Sequence, residues 1–196
     1  MQMKEYEELI HECMNCEKCG LSTTRTASVL GVGSLITNLI FIGEGPGEEE
    51  DRTGIPFVGR AGQMLTRMLG AIDIPRNDIY LTNIVRCRPP NNRTPHKEEI
   101  ESCFPYLLRL LDIIQPRILC TVGAPATSTI LGKKTPISKV HGVEQKVIIG
   151  THQYIVFPIY HPAFLLRREK FNQECIEKQE TWDDLQRLQQ LYQFKE

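Results

Sequence analysis

Short apolar runs alternate with longer amphipathic segments along the chain, and this alternation constrains the fold most strongly. Apolar runs of strand length lie at residues 39–43, 79–85 and 118–122. Helical spacing of apolar residues marks residues 63–72 and 97–114, and a further helix is expected over residues 125–131. Strands joined by helices run parallel in one sheet, so the pattern predicts an α/β fold. We expect a single-domain, three-layer α/β/α arrangement with a central, mainly parallel sheet of about four strands.

Two features extend this arrangement toward the C-terminus. Residues 146–149 and 154–160 could pair as strands around a turn at residues 150–153. Apolar positions from Trp182 to Leu191 mark a C-terminal helix. No internal repeat or low-complexity linker divides the chain, so we expect one domain over residues 1–196.

Composition excludes several classes of protein. With 41% hydrophobic and 24% charged residues, the chain has the mix of an ordinary globular domain. Its net charge of −1 argues against a uniformly basic nucleic-acid coat but permits local basic patches. The first residues carry acids where a signal peptide has an apolar stretch, and no apolar run approaches the ~18–20 residues of a membrane span. We therefore expect a cytoplasmic protein that does not enter a membrane.

Chemistry is expected at one edge of the predicted sheet. In doubly wound sheets, ligands bind beyond the carboxyl ends of the parallel strands. Three segments follow predicted strands directly, namely residues 44–51, residues 83–90 and the residues from 161 onward. We expect these segments to converge on one site.

Cysteines carry the strongest chemical signal in the sequence. Five of the seven are candidate ligands: Cys13, Cys16, Cys19, Cys87 and Cys103. In a reducing compartment, clustered cysteines indicate metal or cluster ligands rather than disulfides. Four thiolates can hold a tetrahedral zinc ion or an iron–sulfur cluster, and spacing alone selects neither the metal nor the four ligands. Cys120 lies in an apolar strand and Cys175 has no nearby partner, so we interpret both as incidental thiols.

An acidic, glycine-rich loop follows the first predicted strand over residues 43–51, Gly-Glu-Gly-Pro-Gly-Glu-Glu-Glu-Asp. It lacks the GxGxxG pattern of a dinucleotide loop, and its carboxylates would repel phosphate. Its glycines instead let the backbone approach a ligand closely. Glu44 and Glu50 could hold a metal, polarise water or be solvated, whereas we interpret Glu48 and Glu49 as solvated.

Two further residues could contact a flat ligand. Phe57 lies in the loop Ile-Pro-Phe-Val-Gly, where its ring is either a stacking platform or a plug of the local core. Asn83 ends an apolar strand. Because a buried asparagine must be hydrogen-bonded, it either ties down a loop or reads a ligand through its paired donor and acceptor.

Basic residues follow two of the predicted strands. Residues 86–97 contain no acid, and this basic loop offers the phosphate-contact candidates Arg86, Arg88 and Arg93. His161 follows another strand and precedes the DNA-contact candidates Leu165, Leu166, Arg167 and Arg168. The leucines could wedge into a duplex while the arginines grip phosphates. A solvated loop, a structural histidine and a buried helix face are the alternative interpretations.

Taken in order, these motifs resemble the uracil-DNA glycosylase superfamily, and within it family 4, the iron–sulfur branch. The matching segments are Cys16-Glu-Lys-Cys19-Gly-Leu, residues 43–51, GIPFVGRAGQML at 54–65, TNIVRCRPPNNRTP at 82–95, Cys103 and HPAFLLR at 161–167. The match covers nearly the whole chain, and several motifs in one order make it specific. The resemblance implies a DNA repair enzyme that flips uracil out of single- or double-stranded DNA and hydrolyses its N-glycosidic bond, leaving an abasic site. We also expect a monomer.

One [4Fe–4S] cluster is the cofactor that the resemblance implies. The family pattern continues through Leu21 and Arg25 of this chain and assigns the ligands as Cys16, Cys19, Cys87 and Cys103. Cys13 is then spare. The N-terminal segment, residues 1–30, would bind the cluster, whose role is expected to be structural.

The resemblance also implies a uracil pocket. Phe57 would stack on the flipped base, Asn83 would read its pairing edge, and His161 would donate a hydrogen bond toward O2 as the base leaves. The backbone of Glu44 and Gly45 would line the pocket.

Glu50 would lie near the attacked sugar carbon. The best-known branch of the superfamily has a water-activating aspartate where this chain has Gly45, and a tyrosine that bars thymine where it has Gly47. The identity of a general base and the means of excluding thymine therefore stay open.

Two other functions compete with this interpretation. A metal-dependent nuclease or phosphatase could use the acids from Glu44 to Asp51, and it would require divalent ions. A non-catalytic iron–sulfur DNA-binding module would explain the cysteines and the basic loop. It would leave Phe57, Asn83 and His161 at one edge of the sheet unexplained.

Overall fold

A computed structural model describes residues 2–171 and 176–194 of the chain. Cys175, interpreted above as an incidental thiol, lies outside these residues. The described strands are β1 (Val32–Gly33), β2 (Leu39–Gly43), β3 (Tyr80–Asn83), β4 (Ile118–Val122), β5 (Gln145–Ile149) and β6 (His152–Ile159). They form one sheet with the order β1-β3-β2-β4-β6-β5.

Four of these strands form the parallel centre of the sheet. β2 pairs in parallel with both β3 and β4, and β4 pairs in parallel with β6. β1 and β5 are antiparallel edge strands. The prediction of a mainly parallel sheet is confirmed, but six strands are present rather than about four. The predicted hairpin forms β5 and β6, whereas β1 was missed because it has only two residues.

The described helices are α1 (Gln2–Met14), α2 (Glu48–Thr53), α3 (Arg60–Ala71), α4 (Lys97–Ile114), α5 (Ala124–Leu131), α6 (Pro162–Phe171) and α7 (Ile176–Gln193). The predicted bounds of α4 are confirmed, and α3 begins three residues earlier than its apolar stripe indicated. The sequence analysis did not predict α1 or α2. None of the described helices is long and apolar enough to cross a bilayer.

Apolar side chains fill both faces of the sheet, which confirms the three-layer arrangement. Successive residues of a strand point to opposite faces, so Ile40 and Ile42 of β2 join one core cluster while Leu39 and Phe41 join the other. The first cluster includes residues of α1, α4 and α5. The second includes residues of α3 and α7. The carboxyl ends of the four parallel strands remain open to a ligand between these layers.

Candidate active site and cysteine cavity

A pocket of about 600 Å³ lies beyond the carboxyl ends of the parallel strands. Its lining includes residues that follow each of these strands: Glu44, Gly45, Glu50, Phe57, Asn83, Gly123, Tyr160 and His161. The predicted convergence of the three segments is therefore confirmed. The volume is within the range typical of small-molecule sites.

Asn83 ends β3 with only 4% of its surface exposed. Its backbone carbonyl accepts a hydrogen bond from the Arg86 guanidinium. Among the described residues, however, no protein group pairs with its side-chain amide, so the amide does not tie down a loop. Gly43 lies opposite in the parallel register, and a Cβ there would come within 2.5 Å of the Asn83 Oδ1. Glycine therefore leaves room for an amide that is free to pair with a ligand.

Phe57 combines the two interpretations given for it. Its ring lines the pocket, and it also packs in the core cluster with Leu65 and Leu69 of α3. Its φ of 55° lies in the left-handed region, which is strained for a residue with a bulky side chain. A Cβ on Gly62 would lie 2.0 Å from the Phe57 carbonyl carbon, so glycine in α3 allows this loop to pack closely.

Glu50 fixes the loop that carries Phe57. One carboxylate oxygen accepts hydrogen bonds from the backbone N–H groups of Val58 (2.9 Å) and Gly59 (2.8 Å). The other accepts from the N–H of Gly47 at 3.1 Å. Glu50 also borders the pocket. Three backbone donors hold the charge in one place, which suits electrostatic stabilisation better than a mobile general base.

The remaining acids of this loop do not form a metal site. Asp51 accepts hydrogen bonds from the backbone N–H groups of Thr26 (2.9 Å) and Ala27 (3.3 Å), so it anchors the preceding chain. Burial raises the pKa of Glu44, with the Thr94 hydroxyl acting in the opposite direction. Among the described residues, no group of three or more histidines, cysteines and acids is arranged to hold a metal ion.

His161 presents a defined hydrogen-bond donor to the pocket. Its Nδ1 accepts the backbone N–H of Ala163 at 3.1 Å, so in the neutral ring the proton resides on Nε2. Burial, and secondly the Arg167 charge, lower the pKa of His161 to about 4, against an opposing effect of Glu50. The ring is therefore neutral at pH 7 and can donate from Nε2. A Cβ on Gly123 would lie 3.0 Å from the His161 Cβ, so this glycine lets β4 and α5 pack against the histidine.

Two of the predicted DNA contacts are buried in the structure. Arg86 has only 1% of its surface exposed and lies in the interior, where its backbone N–H donates to the Cys103 Sγ at 3.2 Å. Leu165 is also 1% exposed, so the buried face of a helix, the alternative interpretation, is correct for it. Leu166 is half-buried, whereas Arg167 and Arg168 are exposed on α6.

The other arginines of the basic loop have acidic partners. Arg93 makes two hydrogen bonds to the Glu99 carboxylate, at 2.8 and 2.7 Å. Arg88 lies 3.7 Å from Glu48 and donates to the Asn92 side chain at 2.7 Å. Their charges are thus partly neutralised within the protein. Whether they contact DNA stays a prediction.

Thiols line a second, separate and much smaller cavity of about 10 Å³. All five candidate ligands border it: Cys13, Cys16, Cys19, Cys87 and Cys103. Cys120 lies instead inside β4, fully buried. Burial raises the pKa of Cys13 to about 12 and that of Cys87 to about 11. These thiols would therefore stay protonated unless a positive group compensates their charge.

Unpaired polar groups point to a missing partner in this cavity. Three buried side-chain atoms among the described residues have no hydrogen-bond partner, namely Oγ of Ser28 and Nε and Nη2 of Arg86. Both residues line the thiol cavity. Arg25 donates to the Cys87 Sγ at 3.1 Å, so two guanidinium groups accompany the thiols. Orphaned donors and two positive charges fit an anionic group with several acceptors.

An aromatic wall beside His161 was missed from the sequence. Tyr160 and Phe164 both line the pocket, and their rings stack with centroids 5.5 Å apart. The His141 ring also packs against Tyr160, with centroids 4.4 Å apart, and hydrogen-bonds through Nδ1 to Asp184 at 2.7 Å. The aromatic residues on both sides of His161 were a usable signal, but nothing in the sequence pairs them with His141.

Fold and pocket together define an α/β protein with a site for a planar, hydrogen-bonding ligand at the carboxyl edge of its sheet. The sequence profile of the uracil DNA glycosylase superfamily matches residues 30–186. The chain therefore belongs to this superfamily, as its motifs predict.

Type-4 members of the superfamily are similar over most of the chain. The type-4 uracil-DNA glycosylase of Thermotoga maritima is 46% identical over 166 residues, which cover 84% of this chain and 85% of that protein. That of Archaeoglobus fulgidus is 42% identical over 176 residues, 88% of each chain. A type-5 uracil-DNA glycosylase of Pyrobaculum aerophilum is 27% identical over 192 residues, covering 81% of this chain and 82% of that protein. The predicted resemblance to family 4 is confirmed.

Proposed function

We propose that the protein is a uracil-DNA glycosylase that flips uracil out of single- or double-stranded DNA and hydrolyses its N-glycosidic bond. The observation that carries this proposal is one pocket with an unpaired asparagine amide, an aromatic ring and a neutral histidine donor. These are the groups that a flipped pyrimidine needs, because it must be stacked, read at its pairing edge and stabilised as it leaves.

Each group has a distinct part in the reaction. Phe57 provides a face for the base. The Asn83 amide can donate its NH₂ to uracil O4 and accept the N3–H on its oxygen. His161 can donate from Nε2 to O2, where negative charge grows as the bond to the sugar breaks, in the manner of an oxyanion hole.

The sugar develops the opposite charge in the same step. Glycosidic cleavage proceeds through an oxocarbenium-like transition state, which a fixed negative charge stabilises. Glu50 supplies such a charge at the pocket wall because three backbone N–H groups hold its carboxylate. This chemistry needs no divalent ion. The nuclease alternative is disfavoured because Glu50 and Asp51 are engaged with backbone N–H groups, and Glu48 and Glu49 pair with arginines.

We further infer one [4Fe–4S] cluster in the thiol cavity, held by Cys16, Cys19, Cys87 and Cys103. A cluster would offer sulfide acceptors to the orphaned donors of Arg86 and Ser28, which a zinc ion held by four thiolates would not. When bound, it would cross-link residues 1–30 to the basic loop.

The proposal also covers the domain organisation, the oligomeric state and the cellular location of the enzyme. We propose one domain over residues 1–196 that acts as a monomer in the cytoplasm. A reducing compartment suits the described cysteines, which are all free.

The test is a duplex with a single uracil, incubated with the protein in excess chelator and then treated with alkali. We expect a break at the uracil position only after alkali, since alkali cleaves an abasic site, and none in a thymine control. Breaks without alkali that require magnesium would indicate the nuclease. Binding of the uracil duplex without base release would indicate a non-catalytic module.

A further inference from the structure

The basic loop offers less free charge to DNA than its sequence indicates. Arg86 is buried, and Arg88 and Arg93 lie against Glu48 and Glu99. A phosphate would have to compete with these carboxylates. Another surface must therefore supply much of the sequence-independent attraction that a DNA-binding enzyme needs.

A second basic stretch of the chain also borders the pocket. The sequence contains no aspartate or glutamate from residue 113 to residue 143. Within this stretch, Lys133, Lys134 and Lys139 are all exposed. Lys4 and Lys97 lie within 4 Å of an acid one helical turn away, but these three lysines have no acidic partner among the described residues.

The segment that carries these lysines, residues 132–140, borders the pocket and is here named the lysine loop. Ile137 lines the pocket together with Ala124 and Pro125 at the start of α5. The three lysines lie within four residues of Ile137 along the chain, close to the pocket that a flipped nucleotide would enter.

Hydrogen bonds give the lysine loop a fixed shape. The Thr135 N–H donates to the Ser128 hydroxyl at 3.0 Å, and the Thr135 hydroxyl donates to the Lys133 carbonyl at 2.9 Å. The His141 N–H donates to the Ile137 carbonyl at 2.9 Å. Because the backbone is already ordered, binding a strand would cost little loop entropy.

We propose that the lysine loop binds the phosphates of the DNA strand whose nucleotide enters the pocket, and that it contributes more free charge than the basic loop. The proposal rests on the proposed function, because it assigns the DNA surface of that same site. This interaction would be independent of DNA sequence, and it would affect the binding affinity rather than the rate of uracil release.

The experiment compares three variants on a uracil-free, fluorescent duplex across 50 to 200 mM salt. Lys133→Gln/Lys134→Gln/Lys139→Gln should bind at least tenfold more weakly at low salt. Its log–log salt slope should be shallower by about 2–3, since each phosphate that a lysine no longer neutralises changes the slope by about 0.9. Lys4→Gln/Arg67→Gln/Lys146→Gln removes the same charge from exposed positions outside both loops and should leave the slope unchanged. Arg88→Gln/Arg93→Gln should change the slope by less than the lysine-loop variant.

Two further measurements separate this proposal from its alternatives. Replacing the three lysines with arginine should preserve the slope, which excludes a folding defect as the cause. At saturating protein, the glutamine variant should release uracil at the wild-type single-turnover rate. An unchanged slope in the glutamine variant, or a larger change in the arginine pair, would overturn the proposal. A wild-type protein that releases no uracil would instead refute the proposed function, while the slopes on uracil-free DNA would still be measured.

Discussion

The pocket proposed to bind uracil and the thiol cavity border the same short stretch of chain, residues 83–87, but they differ in size and in the chemistry of their lining. The pocket holds about 600 Å³ and contains donors and acceptors left free for a ligand. The cavity has only about 10 Å³ and contains thiols and buried cationic donors. One is suited to exchange a ligand at every turnover, whereas the other is suited to retain a group permanently.

Arg86 connects the two regions. Its backbone N–H donates to the Cys103 Sγ on the cavity side, and its guanidinium donates to the Asn83 carbonyl on the pocket side. The placement of Asn83, the residue proposed to read the base, therefore depends on the packing of the cavity. Substitutions in the cavity should disturb folding first, and substitutions in the pocket should disturb chemistry while leaving the fold intact.

The largest effect is expected in the cavity. Cys103→Ala should yield little soluble protein and no brown colour, because it removes a ligand of the cross-link between two segments. Wild type should contain about four irons per chain with broad visible absorption. Cys13→Ala, the matched control, should stay brown. If Cys13→Ala bleaches the protein and Cys16→Ala does not, the ligand assignment is wrong.

A pocket substitution should show the opposite behaviour. His161→Ala should lower the single-turnover rate of uracil release by the loss of about 2–4 kcal/mol of transition-state stabilisation, because its donor matters most as charge develops. DNA affinity and melting temperature should change little. An unchanged single-turnover rate would remove His161 from the mechanism.

The neutral state of His161 should also make stability depend on pH. Its pKa is about 4 in the folded protein, against 6.5 for the free side chain, so the unfolded chain binds a proton more readily. Wild type should therefore lose stability relative to His161→Gln as pH falls from 6.5 to 4. The loss should reach at most about 3 kcal/mol, and less where solvent reaches the ring. Denaturant unfolding of both proteins at several pH values measures it, and parallel curves would contradict it.

The smallest effect concerns the space between Asn83 and Phe57, the two residues proposed to contact the base. A Cβ at Gly43 would lie 2.5 Å from the Asn83 Oδ1 and 2.7 Å from the Phe57 Cζ. Gly43→Ala should therefore displace one of them and weaken uracil processing, measured as kcat/KM, by roughly tenfold, or about 1.4 kcal/mol. Gly70→Ala, where a Cβ meets open space, is the control. Equal activity of the two variants would show that this spacing does not matter.

Periodicity predicted the parts of the structure that depend on local pattern. The parallel strands, the bounds of α4 and the convergence of three segments on one pocket all follow from apolar spacing and strand order. The pairing of charges could not be predicted in this way. Arg86 and Arg93 look alike in sequence, yet one is buried against Cys103 and the other pairs with Glu99. A sequence shows the sign of a charge but not the partner that folding brings to it.

Leu165 illustrates a second limit of prediction from sequence. Leucines beside arginines fit a duplex wedge and a buried helix face equally well, and only the packing of α6 decides between them. The choice between Cys13 and Cys16 as a cluster ligand is a third example. Both thiols border the same cavity, and the spacing of the cysteines in the sequence is compatible with either as a ligand.

In the proposed mechanism, the Asn83 amide recognises the pairing edge of uracil in the pocket. Cytosine offers an amino donor and a ring acceptor where uracil offers O4 and N3–H. An amide that keeps the orientation it needs for uracil would therefore face like groups, at a cost of about 1–3 kcal/mol for each unpaired group. The direct test is base release by Asn83→Asp from matched oligonucleotides that carry uracil or cytosine at one position. We expect loss of most uracil release and a trace of cytosine release, because the carboxylate accepts from the cytosine amino group but disfavours a departing anion. Full uracil activity in Asn83→Asp would show that Asn83 does not read the base.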